Sequence, residues 1–89
     1  MPYELAKTTN YRYQFNKLNL RFKRFVEEAL EVIKETPTAL QGKITHIANN
    51  KDGSLYRFRL PGCYIMYVVP AHEPGESVTI TITGVKMLY

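Results

Sequence analysis

The first half of the chain carries hydrophobic residues at helical spacing. Between residues 18 and 36 the apolar positions fall on one face of an α-helix: Leu18, Phe22, Phe25, Val26, Ala29, Leu30 and Ile33. The pattern predicts an amphipathic helix that ends before Pro37, because the residue before a proline disfavours helical dihedrals. A shorter helix is predicted over residues 11–18, capped by Thr8, Thr9 or Asn10. Residues 2–7 alternate weakly and predict a short first strand.

From residue 43 the period changes to two, which is typical of strands. Predicted strands cover residues 43–48, 55–60, 63–69 and 77–84, separated by a turn at 49–53, Pro61-Gly62 and a polar loop at 70–76. We therefore expect a single domain over residues 1–89 with an α+β fold, in which two N-terminal helices pack on one face of a small antiparallel β-sheet.

A two-residue turn at Pro61-Gly62 fixes which side chains of the hairpin share a face. It places three apolar pairs on one face: Leu60 opposite Cys63, Phe58 opposite Ile65, and Tyr56 opposite Tyr67. The other face then displays Arg57 across from Met66 and Arg59 across from Tyr64, and the threonines of the last strand can continue it. Two guanidinium groups roughly 7 Å apart beside a tyrosine suit a phosphate and a stacked base. They equally suit the ordinary polar face of an antiparallel sheet.

Charge and composition narrow the choice of partners. The 89 residues have a net charge of +4 and a pI near 9.3, which favours a polyanion or an acidic protein partner without requiring either. The single Cys63 is expected to be a small buried hydrophobe, and the two distant histidines have no zinc-site spacing. We expect neither metal nor cofactor. No apolar run is long enough for a membrane span and the start lacks a secretory signal, so a cytoplasmic location is expected.

The hairpin and its neighbours resemble a known family. The helix LNLRFKRFVEEALEVIKETP, then LQGKI, then GSLYRFRLPGCYIMYVV and finally VTITITGVKMLY are similar to the RelE/ParE superfamily of toxins from toxin–antitoxin pairs. The resemblance covers residues 15–89, and the hairpin is its most specific part. It implies a toxin of a type II system, either a metal-independent, ribosome-dependent messenger RNA endonuclease or an inhibitor of gyrase.

The resemblance also implies a set of site residues. Arg57, Arg59, Lys86 and Tyr89 match the catalytic positions of the RelE-like nucleases by place and residue type. Where the family hairpin usually carries Tyr-Arg, this chain has Cys63-Tyr64. Tyr64 is then a candidate to stack a base or donate a proton, and Lys86 a candidate for proton transfer, since lysine titrates more readily than arginine.

Two more residues are candidates for contact with RNA or the ribosome. Lys43 follows the Leu-x-Gly segment, and His46 precedes the arginine strand and is of a residue type that often acts as an acid or base. His72, in the polar loop, is expected to be solvated. The expected partners are the ribosome with its messenger RNA and a small acidic antitoxin that folds on binding. The alternatives are a ParE-like inhibitor whose partner is gyrase and a diverged, inactive binding module.

Overall fold

A computed structural model of the protein describes residues 3–38, 42–51, 53–73, 76 and 78–88. The elements in chain order are β1 (Glu4–Lys7), α1 (Thr9–Asn16), α2 (Leu20–Glu35), β2 (Ile44–Asn50), β3 (Gly53–Leu60), β4 (Cys63–Val69) and β5 (Thr79–Met87). The strands form one sheet in the order β1-β5-β4-β3-β2. The predicted α+β fold is confirmed, with one refinement: the sheet is mixed, because β1 runs parallel to β5 while the other neighbours are antiparallel.

Each helix begins at a side-chain cap. The hydroxyl of Thr8 accepts a hydrogen bond from Tyr11 N at 3.1 Å, and Asn19 Oδ1 accepts one from Phe22 N at 3.0 Å. These caps explain why α1 begins two residues earlier than predicted and why α2 begins at Leu20, two residues later. The long helix ends at Glu35, because Thr36 has a non-helical φ of −138°, as expected before Pro37.

The core lies between the helices and one face of the sheet. Its α2 side consists of Val26, Ala29, Leu30 and Ile33, and its sheet side includes Phe58, Ile65, Tyr67, Ile80 and Ile82. Cys63 is fully buried, as predicted. The opposite face of the sheet, called the open face below, carries no helix, so its side chains remain accessible within the described residues.

The β3–β4 hairpin has the predicted register. Leu60 pairs with Cys63, Arg59 with Tyr64, and Arg57 with Met66. The other strands differ at their ends: β2 continues to Asn50, and β5 covers residues 79–87 where 77–84 was predicted. The hairpin was predictable because the sequence shows both the alternation of apolar and polar residues and a glycine at the turn. In the structure Gly62 has a φ of +78°, which glycine adopts readily.

A β-bulge in β5 changes which face its last residues occupy. Tyr67 pairs with Ile82 but Met66 pairs with Gly84, so Thr83 is an extra residue on β5. Its hydroxyl donates to the Met66 carbonyl at 3.1 Å. Thr79 and Thr81 keep the alternation expected of the threonine row, and Thr83 is the residue without a partner in the register. The bulge shifts the alternation by one, which buries Val85 and places Lys86 on the open face.

The expectation that His72 is solvated is wrong. The ring is half-buried, its Nδ1 lies 2.9 Å from the Pro70 carbonyl, and its Nε2 lies 3.0 Å from the Tyr3 hydroxyl. Because a carbonyl can only accept, Nδ1 carries the proton and Nε2 accepts from Tyr3. Tyr3 N in turn donates to the Lys34 carbonyl at 2.9 Å. His72 therefore ties the loop after β4 to the start of the chain.

Candidate functional site

Four residues form a row across the open face at the hairpin end of the sheet. Tyr64 on β4 pairs with Arg59 on one side and with Lys86 on the other. Arg59 N donates to the Lys43 carbonyl at 2.7 Å, which extends the row to the residue before β2. Neighbouring strands are about 4.8 Å apart, so the backbones of successive residues in the row have about that spacing. We call Lys43, Arg59, Tyr64 and Lys86 the cationic row.

Arg57 belongs to the same surface, two residues from Arg59 along β3. Its Cζ lies 5.4 Å from the centroid of the Tyr64 ring, within the range of a cation–π contact. Arg57, Arg59, Tyr64 and Leu88 line a shallow cavity of about 130 Å³. A surface of this shape suits a phosphate group held by guanidiniums with a planar ring beside it.

The positive charge of this surface is not neutralised by the described residues. Among them the salt bridge present is Lys34 to Glu31, at 3.6 Å, on α2. Lys43, Arg57, Arg59 and Lys86 are all exposed. The acidic residues of the long helix, Glu27, Glu28, Glu31 and Glu35, lie on the element that covers the other face. An accessible cluster of four cations attracts anionic ligands.

The chain returns to this surface after β5. Leu88 N donates to the Gly62 carbonyl at 3.1 Å, which holds the end of the chain beside the hairpin turn. The predicted catalytic residue Tyr89 comes next in the sequence and lies outside the described residues. Its neighbour Leu88 already lines the cavity with the two arginines.

The structure does not bring His46 to the cationic row. His46 pairs with Tyr56, whose ring stacks on the fully buried Tyr67, so all three lie on the helix-covered side of the sheet. The His46 ring is 5.1 Å from that of Tyr56, and its Nε2 lies 3.0 Å from Asn49 Oδ1. This placement separates His46 from the arginines, and its contact with RNA or the ribosome stays a prediction. Alternation sends residues 44 and 46 to the side of Phe58 and Tyr56, opposite Arg57.

A larger cleft borders the cationic row, and sequence reasoning missed it. It has a volume of about 540 Å³ and is lined by Gln14, Lys17, Leu18, Asn19, Phe22, Val85, Lys86 and Met87. Lys86 is shared by the cleft and the row. Asn19 was the one visible signal, because asparagine favours the N-cap position and so marks a helix start within the predicted 18–36 segment. That the junction lies against β5 depends on tertiary contacts.

Neither the single cysteine nor a metal cluster adds a site among the described residues. Burial raises the pKa of the Cys63 thiol, which keeps it protonated and unreactive. No cluster of three or more His, Cys, Asp or Glu side chains that could hold a metal ion occurs in the described ranges. None of the described helices is long and apolar enough to cross a membrane.

Solved structures with the same fold come from toxin–antitoxin systems. The archaeal RelE–RelB complex from Pyrococcus horikoshii OT3 matches with a TM-score of 0.79 and 19% identity, over 98% of this chain and 96% of that chain. The toxin–antitoxin complex RelBE2 from Mycobacterium tuberculosis matches with a TM-score of 0.71 and 22% identity, over 98% and 99%. The YoeB/ParE toxin from Agrobacterium tumefaciens matches with a TM-score of 0.71 and 16% identity, over 97% and 99%.

These neighbours confirm the predicted RelE/ParE-like fold. No protein-family model matches the sequence, and no curated protein matches it. At such low identity the likeness shows the fold, and a fold alone does not determine an activity.

Proposed function

We propose, from its RelE/ParE toxin fold, that this protein is the toxin of a type II toxin–antitoxin pair and that it cleaves messenger RNA on the ribosome. The observation that carries the proposal is the exposed surface of Lys43, Arg57, Arg59, Tyr64 and Lys86. Cations and an aromatic ring on one accessible face suit single-stranded RNA, whose phosphates need positive charge and whose bases need a ring to stack on. The proposed place of action is the cytoplasm.

The chemistry requires no metal in this proposal. The 2′-hydroxyl of one nucleotide attacks the adjacent phosphorus, the bond to the 5′-oxygen of the next nucleotide breaks, and a 2′,3′-cyclic phosphate remains. The pentacovalent intermediate carries two negative charges. Arg57 and Arg59 would stabilise that charge, because both guanidiniums are exposed on one face and can donate to separate oxygens.

Proton transfer needs a base for the 2′-hydroxyl and an acid for the leaving oxygen. Lys86 is the candidate for one of these roles, because an ammonium group gives up a proton more readily than a guanidinium. Tyr64 lies between Arg59 and Lys86, where its ring can support a base of the RNA. Tyr89 is the candidate for the remaining proton transfer.

The ribosome would contribute positioning. Holding the message in a fixed geometry lowers the entropic barrier, and this contribution can be large. Lys43, at the outer end of the cationic row, is then available to contact ribosomal or messenger RNA phosphates. With the message positioned by the ribosome, the protein itself would supply the charged surface that contacts the RNA.

The proposed protein partner is an antitoxin. Two of the structural neighbours were solved as complexes with their antitoxins, which supports a partner of this class. Charge complementarity favours an acidic chain that folds on binding and covers the cationic row. Its binding would stop RNA from reaching Arg57 and Arg59.

Primer extension on a translated message, after expression of the toxin in cells, tests the proposal. We expect cuts in phase with the ribosome, lost or reduced about 100-fold in Arg57→Ala and Arg59→Ala. Arg24→Ala is the matched control, because Arg24 is exposed on α2 and away from the open face. Growth arrest that persists in both site variants would contradict the nuclease. Intact messages with damaged DNA would instead indicate gyrase as the target.

A further inference from the structure

The cleft beside Lys86 is lined by apolar side chains and by two side-chain amides, Gln14 and Asn19. We propose that it binds the nucleobase adjoining the scissile phosphate, as a subsite next to the cationic row; this rests on the proposed function. The volume of about 540 Å³ accommodates a base and its sugar. The cleft lies on the helix side of β5 and the row on the open face, and Lys86 borders both. A strand with its phosphate at Lys86 would therefore pass the edge of β5 to place the neighbouring base in the cleft.

The walls of the cleft are suited to the ring faces of a base. Leu18 and Phe22 are half-buried, and Met87 is 40% exposed. The Phe22 ring lies beside the hairpin turn, at the same end of the molecule as Arg59. Stacking of a base on an aromatic or apolar side chain tolerates any base, because every base has a π-face.

The polar side chains of the cleft present hydrogen-bond donors. Gln14 Oε1 accepts from Val85 N at 2.9 Å, and Asn19 Oδ1 accepts from Phe22 N at 3.0 Å. Both amide oxygens are thereby engaged, and within the described part of the chain neither amide NH₂ group has a partner. Lys17 also lines the cleft, and its ammonium group lies 4.3 Å from the centroid of the Tyr13 ring.

Donors without free acceptors select a ligand rich in acceptors. The ring nitrogens and carbonyls of nucleobases and the oxygens of phosphates meet this requirement. A carboxylate of an acidic protein meets it as well. We favour RNA because the cleft adjoins the cationic row through Lys86, which places a phosphate and a base at neighbouring sites.

Two isosteric substitutions test the cleft without disturbing the fold. Gln14→Glu and Asn19→Asp keep the oxygens that accept from Val85 N and Phe22 N, and they replace each NH₂ group by an oxygen. Asp caps a helix about as well as Asn. Asn16→Asp is the matched control: it is exposed in α1, adds the same charge, and does not line the cleft.

The measurement uses ribosomes programmed with a message whose 2′-hydroxyl at the cut is replaced by hydrogen. We expect Gln14→Glu and Asn19→Asp each to weaken binding about tenfold, and Asn16→Asp to leave it unchanged. Removing the base on one side of the scissile phosphate should weaken wild-type binding by a similar factor. When the base is removed and either variant is used, binding should be little weaker than with the variant alone, because both changes remove the same contact. On cleavable messages KM should rise with kcat unchanged.

Several results would overturn the subsite. The first is that wild-type affinity does not change when the base on either side of the cut is removed. The second is that the loss of affinity from the missing base adds fully to the loss from the variants. The third is that Asn16→Asp weakens binding as much as Gln14→Glu and Asn19→Asp. If the protein cleaves no message, the same variants are measured against a single-stranded oligonucleotide at low salt. Base-dependent binding there supports the cleft even though the proposed function fails, and its absence overturns the cleft. If Gln14→Glu and Asn19→Asp leave RNA affinity unchanged but abolish binding of an acidic protein, the cleft is a site for that protein and not for RNA.

Discussion

Tyr67 joins the sheet to the chain that follows the long helix. Its side chain is fully buried in β4, its ring stacks on Tyr56 at 5.9 Å, and its hydroxyl donates to the Pro37 carbonyl at 2.7 Å. A buried carbonyl without a donor is costly, so this one contact satisfies two polar groups in the core. Tyr67 therefore has a structural role on the helix side of β4, whereas Tyr64 of the same strand lies on the open face.

Tyr67→Phe is expected to destabilise the protein by about 1–2 kcal/mol. The ring and its packing remain, but the Pro37 carbonyl loses its donor. Urea unfolding measures the free energy. Tyr13→Phe is the control: Tyr13 is 61% exposed, and the same substitution there should change stability by less than about 0.5 kcal/mol. Equal effects at both positions would contradict the role of the hydrogen bond.

Tyr64 is expected to act through its ring. Tyr64→Phe keeps the ring next to Arg57 and should leave cleavage within about twofold of wild type, whereas Tyr64→Ala should weaken RNA binding about tenfold. Message cleavage and RNA affinity are measured for both variants. A Phe variant as weak as the Ala variant would mean that the hydroxyl, and not the ring, is required.

At the scale of elements, β5 connects the core to the site. Its first half lies between β1 and β4, and beyond Ile82 its edge is covered by α1. Asn10 Nδ2 donates to the Thr83 carbonyl at 3.2 Å, and Gln14 accepts from Val85 N. The bulge at Thr83 lets one strand bury Ile80, Ile82 and Val85 and still present Lys86 on the open face.

Deleting Thr83 is expected to abolish cleavage and to destabilise the protein by more than about 2 kcal/mol. Without the extra residue, alternation turns Lys86 toward the helices and Val85 toward solvent. Thermal unfolding and message cleavage are the measurements. Thr83→Ser keeps the chain length and the hydroxyl, so it should retain both properties. Normal cleavage by the deletion variant would show that the bulge does not position Lys86.

On the scale of the whole molecule, the open face differs from the helix side in carrying cations with no described acidic residue beside them, whereas α2 carries both signs, with Arg21, Lys23 and Arg24 ahead of its glutamates. The chain carries a net +4, with cations on the open face and glutamates concentrated on the second half of α2. The unneutralised cations of the open face favour contact with an anionic surface there. The sheet separates that surface from the core, so charge can be changed there with little effect on folding.

RNA binding is expected to weaken steeply as salt is added. Each phosphate contact releases counterions and contributes a slope of roughly 0.7 in a plot of log affinity against log salt for single strands. Arg57→Ala and Arg59→Ala should each reduce the slope by about that amount, and Arg24→Ala should leave it unchanged. Affinities from a titration series over several salt concentrations test this. Identical slopes for all four proteins would place the phosphates elsewhere.

Stability is expected to fall at alkaline pH. Burial, with a smaller contribution from Glu27, raises the pKa of Tyr11 to about 12 from its ordinary value of 10.0. Burial and the neighbouring Tyr56 also raise the pKa of Tyr67. Because the folded pKa lies above the unfolded one, the contribution of Tyr11 is complete below pH 10 and is lost as the pH rises toward 12.

Urea unfolding at a series of pH values, with tyrosinate absorbance recorded in parallel, measures this loss. Tyr11→Phe removes one titrating group and should flatten the decline between pH 10 and 12. Tyr13→Phe, on the exposed side of α1, should not. A decline of unchanged steepness in Tyr11→Phe would assign the alkaline instability to other groups.

The placement of the arginines on the accessible face was predictable from the sequence. Residues of a hairpin with a two-residue turn pair at fixed offsets, so the face of Arg57 and Arg59 follows from local geometry. The amphipathic helix and its end before Pro37 were predictable for the same reason. Periodicity and turn chemistry act over a few residues and need no knowledge of the rest of the chain.

Only the tertiary structure decided how the last strand completes the site. Alternation from Val78 to Ile82 predicts that residue 86 faces the helices, whereas the bulge turns Lys86 to the open face beside Tyr64. The bulge is held by partners far away in the sequence: Asn10 and Gln14 contact residues 73 and 71 positions later. Hydrogen bonds at that separation leave no periodic trace in the sequence, because they depend on how α1 packs against β5.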